Sequence, residues 1–146
     1  MNSAKIIVLL GAPASGKSSL ALKLSQDTGI CVVSKDNFKV IAFETYGFRS
    51  PKEKKSLGKI AENNFLQFIG ESMNAQIDLI IEGCFKNLAL LYDTIDVYTA
   101  SYSEYWIFCY TESNILADRY NRRIKSPERH PALSITNFYP LVEGIS

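Results

Sequence analysis

The sequence predicts an α/β protein in which helices cover a mostly parallel sheet of four to five strands. Short apolar runs alternate along the chain with segments whose apolar residues recur at helical spacing. Polar residues suited to phosphate chemistry follow the first three of these runs, as expected where parallel strands end at one edge of a sheet. A length of 146 residues suits a single domain with one buried core, so residues 1–146 are assigned to one domain.

The strands and helices are assigned in chain order from these patterns. Residues 6–10 form a continuous apolar run, which indicates a strand buried on both faces. Residues 17–26 have helical spacing, Gly29 is a suitable end for that helix, and Pro51 can begin a long helix to about residue 76. Further strands are predicted over residues 30–33, 77–82 and 105–110, with helices around 88–94 and over 112–124. The long helix has one apolar stripe, formed by Leu57, Ile60, Ala61, Phe65, Phe68, Ile69 and Met73.

Composition narrows the class of protein. A net charge of +1 gives no general electrostatic argument for a nucleic-acid or membrane partner. The three cysteines, Cys31, Cys84 and Cys109, lie in or beside apolar segments, which predicts reduced core residues and not a disulfide framework or a metal site. No apolar run is long enough for a membrane span or a signal peptide. We therefore expect a cytoplasmic protein.

A phosphate-binding pattern, G-x-x-x-x-G-K-[ST], separates the first strand from the first helix. Its residues are Gly11, Ala12, Pro13, Ala14, Ser15, Gly16, Lys17 and Ser18, followed by Ser19. A backbone bent around two glycines can direct N–H groups at phosphates, Lys17 adds a cation, and Ser18 offers a hydroxyl to Mg²⁺. The pattern predicts binding of a nucleoside triphosphate with Mg²⁺, and the lack of an N-K-x-D segment favours ATP. The alternative is an ordinary Gly-rich turn before a helix.

Two acidic residues lie at or just past the ends of later strands. Asp36 lies just past the second strand, where a carboxylate could take the proton of an acceptor hydroxyl, and Lys39 could hold an anionic part of that acceptor. The alternative for Asp36 is a helix N-cap. Glu82 ends the third strand, where an acid could hold Mg²⁺ directly or through water. Its alternative is an ordinary exposed strand end.

A basic group follows the fourth strand. The last helix carries Arg119, Arg122 and Arg123. A loop that contains prolines and further basic residues follows it, so residues 119–134 are predicted to form a lid. Guanidinium groups in a closing lid can stabilise the charge of a transferring phosphoryl group. The alternative for each arginine is a solvated helix face.

The chain resembles the small P-loop kinases, in particular polynucleotide 5′-hydroxyl kinase domains, zeta-toxin-like kinases and related AAA-type ATP-binding domains. Residues 11–19, 34–39, 80–83 and 119–131 carry the resemblance. It implies a three-layer P-loop NTPase-type sandwich, with Asp36 as general base and Lys39 at the position of a basic residue, more usually Arg, that binds acceptor phosphate. Glu82 stands where Asp is more common. A fifth strand normally follows the lid, whereas residues 135–145 contain Pro140 and Gly144, so either the sheet is shortened or the chain is a truncated form.

Together these features predict an ATP-dependent kinase that transfers the γ-phosphoryl group to a hydroxyl of a small molecule or of a nucleic acid end. Lys17 would bind the phosphates, Ser18 and Glu82 would hold Mg²⁺, and Asp36 would activate the acceptor. The near-neutral charge slightly favours a small-molecule acceptor. The alternatives are a nucleotide-binding switch and an NTPase without kinase activity.

Overall fold

The computed structural model describes residues 3–12, 15–110 and 112–124. The side chains of residues 113, 116, 120, 123 and 124 are outside this description. Pro13 and Ala14 of the phosphate loop, most of the expected lid and the segment 135–145 therefore lie outside the described residues.

In the described part of the chain, four parallel strands form one sheet. They are β1 (Ala4–Leu10), β2 (Val32–Ser34), β3 (Leu79–Glu82) and β4 (Tyr102–Phe108), arranged in the order β2-β3-β1-β4. β1 pairs with both β3 and β4, and Leu9 of β1 is in register with Glu82 of β3. Because the chain leaves β1 toward β2 on one side and reaches β4 on the other, the end of β1 lies where the winding direction changes. Ligands of open parallel sheets bind at this position.

Five helices connect and cover the strands in the described part of the chain. They are α1 (Lys17–Thr28), α2 (Lys35–Tyr46), α3 (Pro51–Asn74), α4 (Leu88–Asp96) and α5 (Ser113–Ile124). A short 3₁₀ turn, Thr99–Ser101, precedes β4. Gly29 ends α1 in the left-handed conformation with φ of 75°, and Pro51 begins α3, as the sequence predicts.

The sheet separates two apolar layers, which gives the expected three-layer sandwich. Alternate residues of β1 and β3 point to opposite faces, so Ile6, Val8 and Ile81 belong to one cluster while Leu9 and Ile80 belong to the other. On the larger side, α3 and α4 supply Phe65, Ile69, Met73, Leu91 and Ile95, all essentially inaccessible. On the smaller side, α1 supplies Ala21, Leu20 and Leu24. The fold class predicted from the sequence is confirmed.

Two predictions about local structure are wrong. The sequence pattern assigns no helix between the second strand and Pro51, yet α2 runs for 12 residues there. Its apolar residues 40–43 are consecutive, and this hides the helical spacing. The apolar stripe of α3 is narrower than predicted, because Ile60 and Phe68 are 48% and 45% exposed.

The prediction that the three cysteines are core residues is also wrong. Cys31 and Cys84 are exposed free thiols, and Cys109 is half-buried. Each follows or precedes a strand and does not lie within it, since β2 begins at Val32, β3 ends at Glu82 and β4 ends at Phe108. The apolar neighbours that suggested burial belong to the strands, whereas the cysteines lie in the connections.

No helix in the described part of the chain is both long and apolar enough to cross a membrane.

Candidate active site

The backbone of the phosphate loop depends on two glycines. Gly11 has φ of 149°, and a Cβ atom at this residue would lie 2.5 Å from the carbonyl oxygen of Cys109 and 2.7 Å from Ser15 Oγ. Gly16 has φ of 97° and is the N-cap of α1. Both values fall in a region that L side chains rarely adopt, and the space beside Gly11 is closed by backbone. A larger residue at Gly11 would displace the loop from the end of β4.

Several polar hydrogens at this loop have no partner within helix α1. The first helical bond runs from Leu20 N to Gly16 O at 3.0 Å, so the N–H groups of Lys17, Ser18 and Ser19 are not paired inside the helix. Ser15 Oγ is buried and, among the described residues, has no hydrogen-bond partner. A buried hydroxyl without a partner is costly, and an anion seated in the loop would satisfy it. These residues therefore fit the phosphates of a nucleotide.

Lys17 directs its ammonium group into the loop. The side chain is only 5% exposed, and Nζ donates to the carbonyl oxygen of Ala12 at 2.8 Å and to Cys84 Sγ at 3.2 Å. These contacts hold the ammonium between the ends of β1 and β3. A cation fixed at this position can meet the terminal phosphates of a triphosphate.

Ser18 and Glu82 meet across the gap between α1 and β3. Ser18 Oγ donates to Glu82 Oε1 at 3.3 Å, and Glu82 is 7% exposed. The interpretation of Glu82 as an exposed strand end is therefore wrong. A hydroxyl and a carboxylate side by side are oxygen ligands of the kind Mg²⁺ prefers, and a buried carboxylate gains from a cation. The donor pair fits Mg²⁺.

Asp36 lies in the first turn of α2, directly after β2. The N-cap of α2 is Ser34, so Asp36 does not cap this helix as the alternative interpretation required. Ser34 is in register with Glu82 on the neighbouring strand. The exposed carboxylate of Asp36 thus follows the same sheet edge at which the Ser18–Glu82 pair lies. It is accessible to a second substrate there.

Lys39 lies one turn further along α2 and is half-buried. Burial lowers the pKa of Lys39 below its ordinary value, and the nearby ammonium groups of Lys35 and Lys86 lower this pKa further, although Asp36 and Glu62 act in the opposite direction. A half-buried cation beside other cations would be stabilised by an anion. This environment suits the role predicted for Lys39 toward an anionic acceptor.

Two residues that the sequence argument did not select join these groups. Cys84 Sγ accepts the hydrogen bond from Lys17, and the carbonyl oxygen of Cys84 accepts one from Lys35 Nζ at 3.1 Å. Lys35 is 5% exposed, and its Nζ lies 3.6 Å from a carboxylate oxygen of Glu62. In the sequence, only their positions could have pointed to these two residues: Cys84 follows Glu82-Gly83, and Lys35 precedes Asp36.

Among the described residues, no hydrogen bond or ion pair joins Arg119 or Arg122 of α5 to the phosphate loop. Arg119 and Arg122 are exposed, and Arg122 pairs with Asp118 at 2.8 Å within the same helix. The side chain of Arg123 and residues 125–134 lie outside the described part of the chain. The lid and its arginines remain predictions.

Among the described residues, one cavity lies beside the phosphate loop and another lies at the opposite end of the sheet. One, of about 290 Å³, lies beside the phosphate loop and is lined by Leu10, Gly11, Ala12, Gly83, Cys84, Phe85, Leu88 and Phe108. A larger one, of about 500 Å³, has Lys5, Thr28 and Asp78 among its lining residues and lies at the opposite end of the sheet. Because Gly11 and Ala12 of the phosphate loop and Cys84, which contacts Lys17, line the smaller cavity, the site is assigned there despite its size.

The fold of this chain is similar to that of several solved structures, which include kinases. A candidate kinase from Chloroflexus aurantiacus superposes with a TM-score of 0.77 at 22% identity, over 98% of this chain and 85% of that one. The Pnkp1/Rnl/Hen1 RNA repair complex contains a chain with a TM-score of 0.65 at 21% identity. Shikimate kinase from Acinetobacter baumannii has a TM-score of 0.57 at 13% identity, over 85% of this chain and 66% of that one.

The coverage of these structures is uneven. The chain aligns over 91% of its own length with the RNA repair protein but spans 42% of that protein. No protein-family profile and no curated protein matches the chain. The structural similarities confirm that this chain has the fold of the small P-loop kinases.

Proposed function

We propose that this protein is an ATP-dependent kinase that transfers the γ-phosphoryl group of ATP to an acceptor hydroxyl. The observation that carries the proposal is that Lys17, held by Cys84, and the Ser18–Glu82 pair lie where β1 and β3 end, with Asp36 following the adjoining sheet edge. Phosphoryl transfer requires positioning and charge stabilisation more than covalent chemistry from the protein. Residues of these types at one sheet edge supply both.

Each residue has a defined task in this proposal. The N–H groups at the start of α1 and Lys17 Nζ bind phosphate oxygens, and Ser18 Oγ with the Glu82 carboxylate holds Mg²⁺. Bound MgATP supplies the phosphoryl group and the metal charge. Asp36 orients the acceptor hydroxyl and takes its proton, and Lys39 binds an anionic part of the acceptor. Arg119, Arg122 or Arg123 would stabilise the transferring charge if α5 closes over the nucleotide.

The position of Asp36 favours a kinase over a nucleotide-binding switch or an NTPase. Because this carboxylate is exposed and Ser34 is the N-cap, Asp36 has no capping task, and it is available to an acceptor. We favour a small-molecule acceptor because the chain carries a net charge of +1, which is low for binding a nucleic acid. We also propose a cytoplasmic location, because the described thiols Cys31, Cys84 and Cys109 are free.

Thermal unfolding with MgATP tests nucleotide binding. A ligand at a hundredfold excess over its Kd stabilises the folded state by about 2.7 kcal/mol, which would raise the melting temperature of this protein by several degrees. Lys17→Met should remove most of the shift while leaving the unliganded protein folded. Lys23→Met is the matched control, because Lys23 is 75% exposed on α1 and should leave the shift unchanged.

Three outcomes separate the candidate functions. No shift with any nucleoside triphosphate at millimolar concentration would contradict nucleotide binding. A shift without phosphoryl transfer to any hydroxyl acceptor would indicate the switch. Release of phosphate without an acceptor would indicate the NTPase.

A further inference from the structure

Cys84 links the phosphate-binding half of the site to the acceptor half. Its Sγ accepts a hydrogen bond from Lys17 Nζ at 3.2 Å and lies 3.3 Å from the carbonyl oxygen of Gly11, to which the thiol donates. Its own carbonyl oxygen accepts from Lys35 Nζ at 3.1 Å. One residue thus contacts the phosphate loop through its side chain and the start of α2 through its backbone.

Lys35 is fixed by contacts from two parts of the chain, the turn after β3 and helix α3. Besides Cys84 O, its ammonium lies 3.6 Å from Glu62 on α3 and 5.0 Å from the ring centroid of Phe85. The stem of the side chain is packed as well, because a Cβ added at Gly83 would lie 3.0 Å from Lys35 Cβ. A flexible, strongly hydrated side chain has here been immobilised and removed from water.

The place of Lys35 in the chain connects this contact to Asp36. Lys35 is the first residue of α2, and Asp36 follows it in the same turn. A displacement of the Lys35 ammonium relative to Cys84 would therefore change the position of Asp36 relative to Lys17. For phosphoryl transfer, the phosphates bound by Lys17 and the acceptor bound by Asp36 must be held in place within a fraction of an ångström.

We propose that Lys35 is a positioning residue: by donating to the carbonyl oxygen of Cys84, it fixes the turn after β3 and thereby sets Lys17 in place relative to Asp36. This inference rests on the proposed kinase function. Packing alone does not require an ammonium group here, because an apolar side chain of similar length could fill the space without the cost of desolvating a charge. The ammonium group is needed to donate the hydrogen bond to the carbonyl oxygen of Cys84.

Nitrogen-15 NMR of lysine ammonium groups in the nucleotide-free protein tests the link directly. An ammonium held by hydrogen bonds exchanges slowly enough to be detected, so the wild type should show a Lys17 signal, assigned by its loss in Lys17→Met. In Lys35→Met this signal should broaden or disappear, because Cys84 is no longer held. MgATP affinity should fall about fivefold, the usual effect of losing one hydrogen bond. Lys23→Met should change neither.

A double variant separates positioning from stability. Lys35→Met leaves the Glu62 carboxylate without its partner, and this alone can destabilise the fold, whereas Lys35→Met/Glu62→Gln removes both charges. The double variant should regain stability in thermal unfolding but should still lack the Lys17 signal and the full MgATP affinity. If it regains all three, Lys35 has a purely structural role and the proposal is overturned.

Two further results would also overturn it. One is a Lys17 signal in Lys35→Met that matches the wild type, and the other is the absence of that signal from the wild type, since the ammonium would then not be held. Both are measured without nucleotide. A wild type that shows the Lys17 signal, loses it in Lys35→Met and yet binds no MgATP would refute the kinase function while leaving the contact between Lys35 and Cys84 established.

Discussion

At the scale of single residues, Asp36 after β2 and Glu82 at the end of β3 have opposite environments. Glu82 is 7% exposed and accepts from Ser18, whereas Asp36 is exposed on the first turn of α2. A buried acid beside a hydroxyl suits a fixed cation, and an accessible acid suits a substrate that enters and leaves. Their roles can therefore be tested separately.

Asp36→Asn should abolish most phosphoryl transfer without weakening nucleotide binding. A general base contributes roughly two to four orders of magnitude to rate, so transfer from labelled ATP to an acceptor hydroxyl should fall about a hundredfold or more. MgATP affinity and unfolding free energy should stay near the wild-type values, because Asp36 does not cap α2.

Asp93→Asn provides the control for this measurement, since Asp93 is exposed on α4. Equal transfer rates for Asp36→Asn and the wild type would remove the main argument for kinase chemistry.

At the scale of single elements, α2 and α3 begin in different ways. The N-cap of α3 is Ser50, whose Oγ accepts from Glu53 N at 3.1 Å, and Glu53 Oε2 accepts from Arg49 N at 2.6 Å. The N-cap of α2 is Ser34, which makes no side-chain capping bond. α3 therefore has a start signal in its own sequence, while α2 depends on its connections to β2 and to the turn after β3.

Ser50→Ala should lower the unfolding free energy by about 1 kcal/mol, because it removes the capping bond to Glu53 N. Ser34→Ala is the matched substitution at an N-cap without such a bond, and it should change the free energy much less. Urea unfolding of both variants checks this. Equal losses would mean that the capping bond of Ser50 does not stabilise α3.

At the scale of the whole molecule, one layer of α3 side chains holds the larger core together. Phe65 is fully buried, and its ring centroid lies 5.5 Å from that of Phe38 and 6.0 Å from that of Phe85. These contacts join α2, α3 and the turn after β3. Phe68, one turn further along α3, lies 5.9 Å from Phe38 but is 45% exposed.

Phe65→Ala should destabilise the fold by about 3–5 kcal/mol, because it removes a buried ring and leaves a cavity. This is a large part of the roughly 5–15 kcal/mol expected for a whole domain. Phe68→Ala should cost much less, since its ring remains partly in water. Denaturant unfolding distinguishes the two, and a comparable loss for both would show that Phe68 belongs to the core as its sequence spacing suggests.

Local features of the sequence were sufficient to predict most of the elements. The phosphate loop can be predicted from the sequence because one short contiguous pattern contains the glycines, Lys17 and Ser18 that bind phosphate and Mg²⁺. The end of α1 follows from Gly29 and the start of α3 from Pro51, because each residue constrains its own backbone. α2 was missed because its consecutive apolar residues show no period.

The sequence by itself determined the fold class, the phosphate loop, and the positions of Asp36 after the second strand and of Glu82 at the end of the third. The tertiary structure decided which side chains meet. Lys35 reaches Cys84, 49 residues away, and Lys17 reaches the same residue over 67. Such contacts depend on the strand order β2-β3-β1-β4, which brings the ends of β1, β2 and β3 together. The periodicity of apolar residues predicts which face of a single helix or strand is buried. A contact between residues distant in the chain forms only when the sheet is assembled, so periodicity does not predict it.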